Sequence, residues 1–186
     1  MSVQKSSQIT KTRDAERSRA VILSAALEEF ALFGLGGARI DRIAERSNLN
    51  KRLIYYYFTD KDQLFQAVLE SAYEQIRESE KKLNLQSLEP ATAVRTLVEF
   101  TWNYYLEHPE FLTLLNSANL HKARHIQESP NARALNSPLI ELLGEILEKG
   151  RLSGEFSARA LGDSWICLAL CRFALLSRVK NSGCSR

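Results

Sequence analysis

At 186 residues, with 45% apolar and 25% charged residues and few glycines or prolines, the chain has the make-up of one ordinary globular protein or a small module joined to a larger one. That composition excludes a collagenous or loop-rich β protein, and three late cysteines (Cys167, Cys171, Cys184) exclude a disulfide framework. The net charge of +3 is too mild to announce a nucleic-acid partner, so such a role requires charge gathered on one face.

The N-terminal stretch MSVQKSSQITKTRDAERS is polar and basic and has no apolar run. It reads as a flexible arm over residues 1–18, without a signal peptide, whose Lys5, Lys11, Arg13 and Arg17 could follow a minor groove together with Arg19. From Ala20 the spacing of Ile22, Ala26, Phe30 and Phe33 predicts a first helix that closes at Gly34 through a left-handed cap. IDRIAERS predicts a second helix of about two turns, and Asn48 suits the positive φ of the tight turn after it. Asn50 then caps a third short helix, KRLIYYYF. Asp60 and Gln63 make a second capping signature, opening a long helix that carries Leu64, Val68, Ala72 and Ile76.

Beyond about residue 83 the pattern stays helical. Pro90 opens a helix to about Glu107, Pro109 restarts one, an amphipathic helix carries Leu139, Leu142, Leu143, Ile146 and Leu147, and residues 158–179 give a last, very apolar one. No segment alternates like a strand. The longest apolar run, 165–177, is shorter than the roughly 20 residues a bilayer needs and contains Arg172, so no membrane partner is expected. The fold class is therefore all-α, with about nine helices.

Charge concentrates where the helices are shortest. Residues 39–58 hold Arg39, Arg42, Arg46, Lys51 and Arg52 against Asp41 and Glu45. Two short helices joined by a tight turn, the second one basic, have the helix-turn-helix layout that places a helix in the major groove. On the third helix Lys51, Arg52, Tyr55 and Tyr56 share an outward face, while Leu49, Ile54 and Phe58 turn inward, as does Tyr57. Lys and Arg donate to guanine edges or phosphates, and tyrosines supply rigid hydroxyl donors and ring faces for thymine methyls.

Through ILSAALEEFALFG, IDRIAERSNLNKRLIYYYF and DKDQLFQAVL, over roughly residues 20–70, the chain resembles the TetR family of bacterial one-component regulators. The resemblance implies a homodimer with an N-terminal DNA-binding head and a C-terminal body that dimerises and binds a small ligand, whose arrival usually releases the DNA. On that basis the domains are the arm (1–18), the helix-turn-helix domain (19–65, motif about 39–58) and the ligand-binding and dimerisation domain (66–186). Carried over by position, Lys51, Arg52, Leu53 and Tyr55 approach bases, and Tyr56, Lys61 and the start of the second helix touch phosphates. Arg39, Arg42 and Asn50 complete the expected DNA-binding set. The chain departs from the family pattern at Arg39, where Ser or Thr usually caps the second helix, and at Asn48, where Gly is usual; SRVKNSGCSR leaves any helix beyond about residue 180 short or missing.

In the body, Trp102, Tyr105, Phe111, Asn116, His121, Trp165 and Phe173 are candidates to meet a small apolar or aromatic effector. His121 and His125, with Glu128 one turn on, have a spacing that could chelate a metal, which leaves a metal-dependent helical enzyme as a remote alternative. No Gly-rich phosphate loop, serine elbow or HExxH pattern supports an enzyme, so neither a cofactor nor a metal is expected. A nearer alternative is an architectural DNA-binding protein without an effector. The main reading is a cytoplasmic transcriptional regulator, most simply a repressor, whose partners are double-stranded DNA, a second copy of itself and an unknown small molecule.

Overall fold

The computed structural model describes residues 3–120 and 129–156, and among them every regular element is helical. The helices are α1 (Val3–Gly37), α2 (Ile40–Ser47), α3 (Lys51–Tyr57), α4 (Lys61–Lys81), α5 (Pro90–Glu107), α6 (Pro109–Leu120) and α7 (Pro130–Leu152), with a single 3-10 turn at Leu85–Ser87. The expected last helix, 158–179, lies outside the described residues, as do His121, His125, Glu128, Trp165, Phe173 and the three cysteines.

α1 corrects the reading of the N-terminus, because the helix starts at Val3 and takes in most of what reads as a flexible arm. The physical reason is that no proline or glycine interrupts the chain before Gly34, so a helix nucleated by the core propagates outward through Ser, Thr, Lys and Arg residues that tolerate it. At Gly34 the backbone leaves helical geometry with φ 63° and ψ 177°, an extended positive-φ conformation open to glycine and not the expected left-handed cap, and helical turns resume to Gly37 instead of ending there. One stretch of α1, Asp14–Gly37, is long and apolar enough to cross a bilayer by length and composition. Its Ile22, Ala26 and Phe30 are instead buried in a protein core together with the carboxylate of Glu29.

The chain divides into two compact units. The first comprises residues up to Ser71 together with Glu110–Ser117 of α6. Its core joins Ile22, Ala26 and Phe30 of α1, Ile43 of α2, Ile54 of α3 and Leu64, Phe65 and Leu69 of α4. Phe30 and Phe65 meet edge to face at 5.0 Å. Ser117 of α6 accepts the Leu35 amide at 3.1 Å, satisfying a buried donor released by the break at Gly34.

The second unit is built around Leu85, Ala93, Val94, Leu97 and Ile146, with Leu139, Leu142, Leu143, Leu147 and Phe156 packed against them. α7 thus spends its leucine stripe on α5 of the same chain. Its outward face carries Ile140, which is exposed. Phe156 folds back over Gly150 so closely that a Cβ there would lie 2.3 Å from the ring, and only glycine leaves that room.

Candidate nucleic-acid interface

α2 ends where Asn48 adopts φ 52°, and the amides of Asn48 and Leu49 bond back to Glu45 and Ala44 at 3.2 and 3.1 Å. The chain then reverses through Asn48-Leu49-Asn50, and the Asn50 side chain accepts the Arg52 amide at 2.8 Å, starting α3. α3 buries Ile54, and Phe58 closes it from within the core. With those anchors in, Lys51, Arg52, Tyr55 and Tyr56 stand outward, Tyr56 at 79% exposure. Tyr56 rests edge to face on half-buried Tyr57 at 5.3 Å, which limits the ring's freedom before anything binds. Leu53 is half-buried beside them.

The five cations of this segment are not equivalent. Lys51 pairs with Asp41 of α2 at 2.6 Å, and the hydrogen bond from that carboxylate is the chief reason its ammonium is held above the ordinary lysine value. Arg46 pairs with Glu28 at 2.8 Å. Arg42 donates through Nε to the buried Glu29 at 2.7 Å and through its terminal nitrogen to the Gly37 carbonyl at 2.8 Å, and its guanidinium lies 4.1 Å from the centre of the Phe33 ring. Among the described residues, the side chains of Arg39 and Arg52 enter no ion pair. They stand at the N-terminal ends of α2 and α3, where the helix dipoles also favour an anion.

Glu29 is the residue that sequence reasoning missed. A glutamate next to Glu28 in an amphipathic helix reads as solvated, yet its side chain is fully buried. It accepts the Arg39 amide at 3.0 Å, anchoring the backbone of the N-cap residue, whose own side chain makes no cap bond at the start of α2. Burial alone would raise its carboxyl, but the hydrogen bonds from Arg42 and the Arg39 amide and the charges of Arg42 and Arg46 carry it below the ordinary glutamate value. Lys61 is tied in as well, donating to the Ala38 carbonyl at 3.3 Å.

The candidate effector residues are scattered. Trp102 points away from its helix at 65% exposure and Asn116 is also exposed, whereas Phe111 is buried and Tyr105 half-buried. An apolar side chain on a helix with an apolar neighbourhood reads as inward, and for Trp102 that reading fails within this chain. The polar interior of the second unit lies elsewhere, at Tyr73, Arg77 and Glu80 of α4, all nearly inaccessible. Arg77 donates to Glu80, but burial outweighs the pairing and pushes the Glu80 carboxyl up to about 7. Burial likewise pushes the Tyr73 and Tyr105 hydroxyls well above the ordinary tyrosine value, with Arg77 offsetting part of the effect. No group of three potential metal ligands occurs among the described residues.

A helical protein whose N-terminal unit presents a short basic helix from a helix-turn-helix defines a DNA-binding regulator class. Residues 22–68 match the bacterial regulatory proteins of the tetR family, and residues 90–181 match the tetracyclin repressor-like C-terminal domain. The chain is 42% identical over 146 residues to the HTH-type transcriptional repressor NicS of Pseudomonas putida, covering 78% of this chain and 69% of that protein. It is 40% identical over 105 residues to the repressor SCO4008 of Streptomyces coelicolor, covering 55% of this chain and 50% of that one. A solved structure described as the molecular basis for control of antibiotic production by bacterial hormones superposes with a TM-score of 0.62 at 25% identity, covering 86% of this chain and 81% of that one. The chain belongs to the TetR family of transcriptional regulators.

Proposed function

We propose that this regulator is a repressor that binds a palindromic operator as a homodimer in the cytoplasm and is released by a small effector. The observation that carries the DNA reading is α3, whose Ile54 and the following Phe58 are buried while Lys51, Arg52, Tyr55 and Tyr56 are left facing out together. Arg52 and Lys51 would read base edges with Leu53 and Tyr55, and Tyr56, Lys61 and Arg39 would hold phosphates. Asn50 contributes by fixing the start of α3. The related proteins named as repressors support the direction of control.

The effector reading rests on the second unit, where Tyr105 comes close to the buried Tyr73, Arg77 and Glu80. Aromatic and apolar surroundings with a few polar groups suit a small, largely apolar or aromatic compound bearing one or two polar substituents. Such a compound lowers operator affinity only by preferring the form that does not fit DNA, an effect of roughly 5- to 150-fold in this kind of coupling. The test has two stages. Selection of duplexes from a random pool should enrich an inverted repeat, and a compound screen against that duplex should find molecules that both raise the melting temperature and release the DNA. Enrichment of no sequence would favour an architectural DNA-binding protein.

A further inference from the structure

We infer that Glu29 is a specificity-determining residue of the DNA-binding head: from inside the core it keeps Arg42 off the phosphates and fixes the start of α2, leaving Arg39 and Arg52 as the forward cations. The inference rests on the reading of α3 as the DNA reader.

The geometry separates two kinds of ion pair. Lys51 and Asp41 are both well exposed, at 47% and 67%, so Lys51 can exchange the carboxylate for a base edge while Asp41 returns to water. Arg42 has no such exchange open to it. Its partner Glu29 is fully buried, with the ion pair at 2.6 Å, and if Arg42 swung outward it would strand a carboxylate in the core with only the Arg39 amide and Arg46, 3.8 Å away, for company. The Gly37 carbonyl and the Phe33 ring hold the same guanidinium a second and third time. The lowered Glu29 carboxyl keeps this arrangement charged across the physiological range.

The consequence concerns specificity more than affinity. Every cation that reaches phosphate strengthens binding to all sequences alike, whereas discrimination comes from base edges. A head that carries five cations in residues 39–58 but commits Arg42 inward has fewer sequence-blind contacts than its composition suggests. The backbone bond to Arg39 adds a positional effect: Glu29 holds the Arg39 amide and so fixes the backbone at the start of α2, while the Arg39 side chain, in no ion pair with the described residues, can face an anion.

The full-length protein, its Glu29→Gln, Arg42→Met and doubly substituted forms test this by fluorescence anisotropy. Two duplexes are titrated over a series of KCl concentrations, one enriched by the wild type from a random pool and one a scramble of it. Glu29→Gln keeps an acceptor but drops the charge. It should steepen the salt dependence on the scrambled duplex by about one unit of log-log slope and shrink the preference for the enriched duplex by about tenfold. In the double variant the slope should return to the wild-type value. Arg42→Met alone should leave the slope unchanged, and the double variant, which leaves no buried charge unpaired, decides the matter if either single variant does not fold: a slope about one unit below wild type there would equally overturn the inference. A slope that falls by about one unit in Arg42→Met would show that Arg42 already sits on phosphate and would overturn the inference. So would a folded Glu29→Gln that weakens both duplexes equally at constant slope, the mark of a merely structural residue. A wild type that enriches no duplex would instead overturn the DNA-reader assignment itself.

Discussion

Lys51 and Arg52 are neighbours in sequence and differ in what they leave behind when removed. Arg52 enters no ion pair with the described residues, so Arg52→Ala should cost only its own contact, about 1–3 kcal/mol of discrimination between cognate and scrambled duplexes if it grips a guanine with two bonds. Lys51→Ala also leaves the exposed Asp41 carboxylate without the ammonium that lies 2.6 Å from it, and an unbalanced anion beside DNA repels every sequence. Lys51→Ala should therefore weaken scrambled DNA as well as reduce discrimination, and the added substitution Asp41→Asn should recover part of the loss that both duplexes share. Anisotropy titrations of the four proteins check both statements; equal behaviour of the Arg52 and Lys51 variants would contradict them. The turn makes a separate demand on Asn50, because its side chain satisfies the Arg52 amide at 2.8 Å. Asn50→Ala should lower stability by about 1 kcal/mol in urea unfolding, while Asn50→Asp keeps an acceptor there and should lose much less.

Two helices lack a cap bond from their own N-cap residue and receive a carboxylate from another element: Glu29 of the neighbouring α1 serves the Arg39 amide at 3.0 Å, and Glu155, 64 residues on, serves the Ala91 amide at 3.2 Å. A third bond between elements joins α6 to α1, and Ser117→Ala would strand the buried Leu35 amide that Ser117 accepts at 3.1 Å. The expected cost is about 1–3 kcal/mol of unfolding free energy, read by urea denaturation. α4 offers a pH-dependent test. Glu80 sits among Arg77, Tyr73 and Tyr105, and its carboxyl is raised from 4.5 to about 7, so the fold favours the protonated form. The stability it contributes is fully present below about pH 4.5 and is lost as pH rises through about 7, a change of about 3 kcal/mol across that window. Urea unfolding at pH 5 and pH 8 should show wild type losing that increment relative to Glu80→Gln; parallel pH profiles would contradict it. Long-range bonds of this kind also mark where sequence reading stops. The limits of α2 and α3 were legible because Asn48 and Asn50 act locally through a left-handed turn and a side-chain cap, and Asp60 likewise accepts the Gln63 amide at 2.8 Å. The outward face of α3 followed from helical spacing alone. Glu29 was not legible, because what buries it is α2 folding back across α1, and the same nonlocality turned Trp102 outward although its neighbours on α5 are apolar.

On the scale of the whole molecule, the short reading helix sets the assembly. α3 has 7 residues, about 10 Å of helix at 1.5 Å per residue, which spans only a few base pairs. Two heads related by a twofold axis read two half-sites one helical turn or a multiple of it apart, which is how a short helix reaches operator-level specificity and why the selected sequence should be an inverted repeat. The seam between copies needs apolar surface that the chain does not use for its own core. Leu143 does not qualify, since it packs against the cluster of Leu85, Ala93, Val94, Leu97 and Ile146, and Leu143→Glu should unfold the second unit rather than divide a dimer cleanly. Ile140 does qualify: it is 46% exposed on α7, and one turn further along Gly144 has open space around it, so that face can approach another helix closely. Ile140→Glu should therefore keep the helical content and urea midpoint close to wild type, while sedimentation at micromolar concentration shows the dimer replaced by monomer. The inverted-repeat duplex should then lose binding by a large factor while the salt-dependent affinity for scrambled DNA survives, because each free head keeps its cations but has lost its tethered partner. A wild type that sediments as a monomer, or an Ile140→Glu protein that remains dimeric, would place the seam elsewhere or remove it, and with it the twofold account of how this chain finds its site.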